Sequence, residues 1–502
     1  MIANSDAAQA GRYLGKTGIQ AGLQCPRHLH QLVHNPTRAK REETLAMRTG
    51  TRVGEQARKA FAGGVCVARD GGADAALAQT QRLLDDPGVD AIFEAAFAAD
   101  GIIVYVDVLR RAARGWELIE VKASTGVKDT HIDDVAIQLS VAGRAGLNVE
   151  RAYLMHINGG YIHEGDGEYP GLFVLEEITA KARAHVAFID TQIAALQEIL
   201  AGAEPEVHPG PQCKQPYPCE FRDWCDAQDG GYPVALLPNA AAVVGALLQQ
   251  GLYDLREVPA ELLESDRHLW VRNVTVTGRA ELRPGAAHTL EMLAYPRYYL
   301  DFECIQFAIP AWRGTSPYQQ LPFQWSCHIE REGQALEHHE FLDTCGQDPR
   351  REFAERLLAA CGERGPIVVY NQSFEKRIIR ELADSFADLR VPLLALPERV
   401  FDLLPVVRAH YYHPHMKGSW SIKNVLECLV PELSYRHLAG VRDGTQAQAA
   451  YLDIVFGDLS VHERQTLTEN LRRYCKRDTF AMYAIVERLQ TLEHATVPEG
   501  TP

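Results

Sequence analysis

Two groups of acidic residues in this chain have the types and spacing that hold divalent cations: Asp107 with Glu120 and Lys122, and Asp301 with Glu303, Glu375 and Asp478. Carboxylate oxygens are the hard ligands that Mg²⁺ and Mn²⁺ take. Such an ion polarises a phosphate and activates water, so each group is spaced as a site for metal-dependent phosphodiester hydrolysis would be. The duplication within one chain matters more than either group alone.

In the first group, Gly101 to Arg110 and Trp116 to Lys122 are β-branched or aromatic-rich runs separated by the turn-like Ala112-Ala113-Arg114-Gly115. They predict an antiparallel hairpin. Glu120 and Lys122 then share one face of a strand while Ile119 and Val121 point the other way, and Asp107 sits on the partner strand. Two acids can hold the ion, and a compact ammonium beside them can orient the attacking water and offset charge building on the phosphate. A surface salt bridge would also produce Glu-x-Lys. Asp107, Glu94 on an upstream strand and Gln138 on the following helix turn the pattern towards a site.

The second group starts with Tyr298-Tyr299-Leu300-Asp301-Phe302-Glu303, an apolar strand with two acids on one face. Desolvating such groups costs several kcal/mol each unless a metal or a partner compensates. Val368 to Glu375 reads as a strand entering a helix with an acid in its first turn, and Tyr474 and Asp478 lie four apart on one face of a terminal helix. Asp402 is a further candidate ligand beside Glu375, and Ser419, Ser421 and Lys423 form a loop that could contact backbone phosphates. Tyr474 as a packed aromatic and Asp301-x-Glu303 as an edge turn are the plainer alternatives.

Cys213, Cys219 and Cys225 recur every six residues, which is a ligand pattern, with Cys25 the candidate fourth member. The gaps exceed those usual for zinc and do not match ferredoxin spacings, so spacing alone leaves the metal open. The other seven cysteines, Cys66, Cys304, Cys327, Cys345, Cys361, Cys428 and Cys475, are expected as small buried hydrophobes. An odd total of 11 without a secretion signal argues against a disulfide framework.

The elements that must position these residues follow an α/β order. Helices are expected at Glu42 to Phe61, Ala73 to Leu84 and Ile132 to Ala145, and a strand at Arg151 to Ile157. Short amphipathic helices from Tyr232 to Pro296 read as a connector without a chemical motif. A second α/β unit follows, with strands near Phe323 to Glu330 and Pro366 to Tyr370 and a helix from Glu463 to Leu492. At 502 residues the chain exceeds what one hydrophobic core supports. The expected division is 1–229, 230–296 and 297–495.

A net charge of −15 counts against a passive nucleic-acid binder, but less against a nuclease whose carboxylates are offset by bound cations. Arg377, Arg380, Arg472, Arg473, Lys476 and Arg477 concentrate basic charge locally. No basic segment precedes a long apolar run between Met1 and Gln24, and no apolar stretch reaches membrane-spanning length. A soluble, cytoplasmic protein is expected.

From Gln24 to Asp226 the sequence resembles the PD-(D/E)XK nuclease superfamily in its RecB-like branch. The resemblance implies a restriction-endonuclease-like core in which Asp107, Glu120 and Lys122 form the metal-binding catalytic centre, with Gln138 on the helix after the motif. The aromatic expected four residues later is Ala142, and Gly50 to Glu55 lacks the metal-binding histidine of many relatives, for which Glu94 or Glu55 would substitute. Relatives linked to CRISPR adaptation and to helicases hold a [4Fe-4S] cluster with one cysteine before the core and three after it. That implies the same for Cys25, Cys213, Cys219 and Cys225, with zinc as the alternative.

From Tyr298 to Leu492 the sequence resembles the DnaQ-like 3′→5′ exonucleases of the ribonuclease-H-like fold, in the subgroup whose last motif carries tyrosine. By that resemblance Asp301, Glu303, Glu375 and Asp478 bind two Mg²⁺ or Mn²⁺ ions and Tyr474 positions the attacking water. Glu375 stands where the family has aspartate. The expected function is a DNA nuclease acting on single strands or DNA ends in repair, defence or fragment processing. The alternatives are a first domain that only grips DNA, and an exoribonuclease that processes RNA.

Overall fold

The computed structural model describes residues 13–38, 44–165, 167–228 and 231–496. The chain is mixed α/β and divides into two compact units: residues 1–233 with 307–318, and residues 234–306 with 319–502.

In the first unit, α1 (Lys16–Gln24), α2 (Pro26–His34), α3 (Leu45–Arg58) and α4 (Gly72–Asp85) precede a meander of β1 (Ala91–Ala99), β2 (Ile102–Arg111) and β3 (Trp116–Lys122). Then come α5 (Asp129–Arg144), β4 (Val149–Ile157), β5 (Phe173–Glu177), α6 (Thr179–Ala201) and α7 (Arg222–Gln228). β1, β2 and β3 pair antiparallel, β3 and β4 pair parallel across the α5 crossover, and β5 closes the far edge. Val108 on β2 is buried in a second cluster with Phe93 and Ile119, whereas Ile102, Val104 and Val106 alternate inward along β2 and are buried in the main core. Ile92, Leu118, Leu154 and Val135 complete that core, each side chain contributing about 1.5–3 kcal/mol. Leu14–Gly15 pair parallel to Ile102–Ile103 of β2, beyond the stretch that pairs with β3, so α1 begins beside the end of β3.

The predicted hairpin, the α5 helix and the β4 strand are present with boundaries shifted by one to three residues. The helix expected from Glu42 starts at Leu45; Glu42 and Glu43, like the first twelve residues, lie outside the described residues.

The second unit contains α8 (Ala241–Gln249), α9 (Asp266–Thr277) and α10 (Ala286–Glu291), then β6 (Arg297–Gln306), β7 (Gln320–Glu330), β8 (Glu337–Leu342) and α11 (Arg350–Cys361). β9 (Ile367–Val369), α12 (Ser373–Ser385), α13 (Arg390–Ala395), β10 (Val400–Asp402), α14 (Leu403–His410), α15 (Ile422–Leu429), α16 (Gly444–Phe456) and α17 (Val461–Thr496) follow. The sheet order is β8-β7-β6-β9-β10, with β7 antiparallel to its neighbours and β6, β9 and β10 parallel.

The stretch expected as a separate connector belongs mostly to this second unit. Its apolar and aromatic faces have partners there: Trp270 lies against Tyr412 and Trp420, and Glu281–Leu282 pair with Tyr411–Tyr412. Glu493 on α17 accepts the backbone N–H groups of Gly285 and Ala287 at the start of α10.

Residues 307–318, between β6 and β7, are counted with the first unit, where Ala308 joins a cluster of Val53, Ile157, Tyr161 and Leu172. The Tyr318 hydroxyl donates to the Ala123 carbonyl at 2.7 Å, one residue after Lys122. Tyr318→Phe is expected to destabilise the first unit by about 0.5–1.5 kcal/mol, read from chemical denaturation of the full chain. An unchanged midpoint would show that the bond contributes nothing. Among the described residues, no helix is long and apolar enough to cross a membrane.

Candidate functional site

In the first unit the hairpin ladder ends at Val108 and Ile119, and Asp107 and Glu120 are the next residues beyond it on the two strands. Asp107 Oδ2 accepts the Val121 backbone N–H at 2.7 Å, and Gln138 on α5 donates to Glu120 Oε2 at 2.6 Å. Lys122 Nζ lies 2.9 Å from Glu120 Oε1 and also contacts Asp134 on α5. Asp107, Glu120 and Lys122 line one cavity of about 380 Å³ together with Glu55, Arg58, Arg69 and Glu94.

Two participants were not anticipated. Lys16 at the start of α1 places Nζ 2.6 Å from Glu120 Oε1, and Asp134 is held by both Lys122 and Gln20. A sequence signal existed: Lys16, Gln20 and Gln24 recur every four residues, a polar stripe on an otherwise apolar helix. Burial opposes the charge on Glu120, yet Lys122 and Lys16 outweigh it and hold its carboxyl below the ordinary range. Burial, then the neighbouring Glu120 charge, pushes Asp107 up.

Glu94, expected as a metal ligand, is engaged otherwise. Its oxygens meet Arg58 at 2.5 Å and Arg69 at 3.4 Å. The cause is local geometry: Glu94 has φ of 56°, which interrupts the β1–β2 ladder and turns its carboxylate to the arginines.

The second unit assembles a denser group. Asp301 and Glu303 on β6 and Asp478 on α17 bring carboxylate oxygens within 4.8 Å of one another. Burial, followed by repulsion from Asp478, raises Asp301 and Glu303 well above the carboxylate range, and burial pushes Asp478 up to about 6. Buried Glu303 and Asp478 and half-buried Asp301 face one another, with the Lys423 ammonium the chief opposing charge, a set of donors of the kind a hard divalent cation takes.

Glu375, in the first turn of α12, is 3% exposed, and its Oε2 has no hydrogen-bond partner. It influences Asp301 and Glu303 electrostatically but stands outside the tight triad. Asp402 accepts the backbone N–H groups of Asn371, Gln372 and Leu404, so it anchors the β9–α12 turn and caps α14.

Tyr435, at the start of a 3₁₀ turn that sequence reading did not single out, donates to Asp478 Oδ1, and Tyr474 lies close enough to Asp478 to act on its carboxyl. Lys423 Nζ sits 5.3 Å from the Tyr474 ring centre and 5.4 Å from that of Tyr435. Ser419 and Ser421, expected to meet phosphates, instead order the start of α15: Ser421 caps it at Asn424 N, and Ser419 Oγ accepts the Ser421 N–H. Of the basic residues noted in the sequence, Arg472 and Arg473 pair with Glu340 and Glu469, and Arg477 bonds the Leu433 carbonyl.

The four candidate cysteines line one cavity in the first unit. Cys25 caps α1, and Cys219 donates its N–H to the Cys213 carbonyl at 3.0 Å. Burial raises the thiols of Cys25 and Cys213, and pushes Cys225 up to about 12. The ligand atoms that converge within 4.8 Å here are those of His28, Cys219 and Glu220; the other cysteines line the same pocket, and a bound cation would draw the thiol protons off. His28 joins the same cavity, 3.0 Å from Glu220. Of the remaining cysteines, Cys304, Cys327, Cys361 and Cys475 are buried as expected, whereas Cys66 and Cys345 are exposed.

Residues 298–421, from the first acidic strand to the start of α15, match the model of a domain of unknown function, DUF2779. The chain is 25% identical over 236 residues to Uncharacterized protein UU173 of Ureaplasma parvum, covering 42% of this chain and 34% of that protein. It is 23% identical over 224 residues to Uncharacterized protein MG366 of Mycoplasma genitalium, covering 41% and 33%. The alignments thus span about a third of the length of these curated relatives.

Proposed function

We propose that the chain is a metal-dependent nuclease with two cleavage units: a RecB-like PD-(D/E)XK unit with a four-cysteine cofactor, and a DnaQ-like 3′→5′ exonuclease unit. The observation that carries the reading is the convergence of Asp301, Glu303 and Asp478 within 4.8 Å on a buried strand and the last helix. The sheet order β8-β7-β6-β9-β10, with β7 antiparallel, supports a ribonuclease-H-like core. For the first unit, support comes from the β1-β2-β3-α5-β4 arrangement, which mounts Asp107, Glu120, Lys122 and Gln138 on one cavity.

Divalent cations held by Asp301, Glu303, Asp478 and Glu375 would supply a polarised phosphate and an activated water. The chain's own groups do the rest. Tyr435 fixes the Asp478 carboxylate, and the neighbouring Tyr474 would orient water. Lys423 adds positive charge beside the acids, where a phosphate's developing charge would fall.

Tyr435→Phe removes one donor to Asp478, and is expected to lower 3′ trimming by about tenfold while leaving the melting temperature within a few degrees. End-labelled single-stranded DNA and RNA with Mn²⁺ would test the whole reading, with Asp301→Ala and Lys122→Ala assayed separately. Trimming that persists without Asp301 would sink the second unit's role, and unchanged cleavage without Lys122 would sink the first's. A second reading, in which the first unit only grips DNA, is favoured by the lysines that already neutralise Glu120. A preference for the RNA strand would instead indicate an exoribonuclease.

A further inference from the structure

The two carboxylate groups differ in how their charge is balanced. Around the second, Asp301, Glu303, Asp478 and Glu375 face one principal cation, Lys423. Around the first, Glu120, Asp134 and Glu94 each have a basic partner within the unit, while Asp107 accepts the Val121 backbone N–H. Glu120 meets Lys16 at 2.6 Å and Lys122 at 2.9 Å, Asp134 meets Lys122, and Glu94 meets Arg58 and Arg69.

Lys16 is the distinctive member of this set. Both ammonium groups bind the same oxygen, Oε1, while Oε2 takes the Gln138 amide. Lys122 also reaches Asp134, but Glu120 is the closest carboxylate contact of Lys16. A cation sharing Asp107 and Glu120 needs a lone pair on Glu120, and Oε1 is the oxygen that Lys16 covers. The ammonium is held firmly: α1 starts at a two-residue strand pair, and Gln20, one turn on, is bonded to Asp134. The side chain is 22% exposed, so it can swing towards solvent when displaced.

We infer that Lys16 is a built-in competitor for divalent cation at the first carboxylate site, so that this site takes Mn²⁺ only by displacing the Lys16 ammonium from Glu120. The inference rests on the reading of Asp107 and Glu120 as cation ligands, and adds an order: the second site loads first. Lys16 is thereby a positioning residue that sets when the first site becomes competent.

The test counts bound Mn²⁺ by electron paramagnetic resonance of the free ion, on the full chain carrying Asp301→Asn and Glu303→Gln to silence the second site. In that background Lys16→Met is expected to tighten Mn²⁺ binding by about tenfold or more, because an ammonium in contact with the ligand is removed. Lys16→Arg keeps the charge and should leave binding near that of the parent. Adding Glu120→Gln to Lys16→Met should abolish the gain, locating the ion. Lys16→Gln serves as a second neutral variant, with circular dichroism to report folding. Unchanged Mn²⁺ affinity in the folded neutral variants, or a gain that survives Glu120→Gln, overturns the inference. Tightened Mn²⁺ binding in the neutral variants, with no cleavage by the first unit in parent or variants, would count against the nuclease reading and leave the inference standing.

Discussion

Asp301→Asn is expected to reduce Mn²⁺-dependent 3′ trimming by on the order of a thousandfold, since it removes a ligand whose ion stabilises transition-state charge by several kcal/mol. The same substitution should stabilise the metal-free protein. Asp301 lies on β6 between β7 and β9, and burial, then Asp478 and Glu303, raise its pKa well above the model-peptide value. A folded pKa raised above the unfolded one means that ionised Asp301 costs stability. That cost is absent below the unfolded pKa of about 3.9 and grows as pH rises towards the folded value. A neutral, nearly isosteric amide escapes it, so metal-free Asp301→Asn should gain about 0.5–2 kcal/mol, more at pH 8 than at pH 5. Saturating Mn²⁺ should reverse the order, because wild type then gains the binding free energy that the variant lacks. Melting curves with chelator and with Mn²⁺ at both pH values are the measurement. A variant that melts lower than wild type in chelator would refute the charge-repulsion account, whatever its activity.

What could be read from the sequence follows from how locally each feature is encoded. Glu120 and Lys122 share a strand face by period two, and Tyr474 and Asp478 share a helix face by spacing of four, so both pairs were legible. Gln138 was legible as a helix position following a motif, and the structure joins it to Glu120. Lys16, Asp134 and Tyr435 were not, because their relevance is tertiary. Lys16 lies 104 residues from Glu120, and Tyr435 lies 43 from Asp478 in a loop with no periodic signal. Glu94 was legible as a strand acid, and it lines the same cavity as Asp107, but its positive φ and its two arginine partners were not legible.

The fold shows the same division. Runs such as Ile102 to Val108 declare themselves as strands through β-branched side chains, and the mixed α/β class follows from their alternation with helices. Residues 234–296 carry short apolar faces whose partners, Tyr412, Trp420 and Glu493, lie more than a hundred residues on. Nothing local separates a connector from an element packed into a larger unit. The assignment of 307–318 to the first unit is illegible for the same reason, since its anchors at Ala123, His163 and Tyr169 precede it by well over a hundred residues.

Removing the cysteine centre is expected to have the largest effect on stability. The segment from Pro205 to Phe221 has little regular structure beyond the turn at Pro211–Cys213. Its polar ties to α1 and α2 include Gln24 Nε2 donating to the Gln212 and Tyr217 carbonyls at 2.7 Å, Arg27 donating to the Val207 carbonyl at 3.0 Å, and the His28–Glu220 pair at 3.0 Å. The accompanying apolar cluster is small, with Ala21, Leu32 and Phe221 at its centre. Such contacts are weak against the entropy of ordering that length of chain. A group bound by four thiolates would close the gap, as its binding energy is folding energy. On the proposed reading, Cys219→Ser is therefore expected to cost the first unit about 5 kcal/mol or more, and anaerobically purified wild type should carry iron or zinc that the variant lacks. Because α1 runs from Cys25 at one end to Lys16 and Gln20 at the other, the loss should also loosen the Glu120 site. Trimming that depends on Asp301 should persist, since no residue of that group lies in the first unit. Hydrogen exchange on the full chain would separate the outcomes: deprotection confined to the first unit supports a local staple. Unchanged exchange in α1 and α2, with metal absent, would mean that these cysteines hold nothing the fold needs.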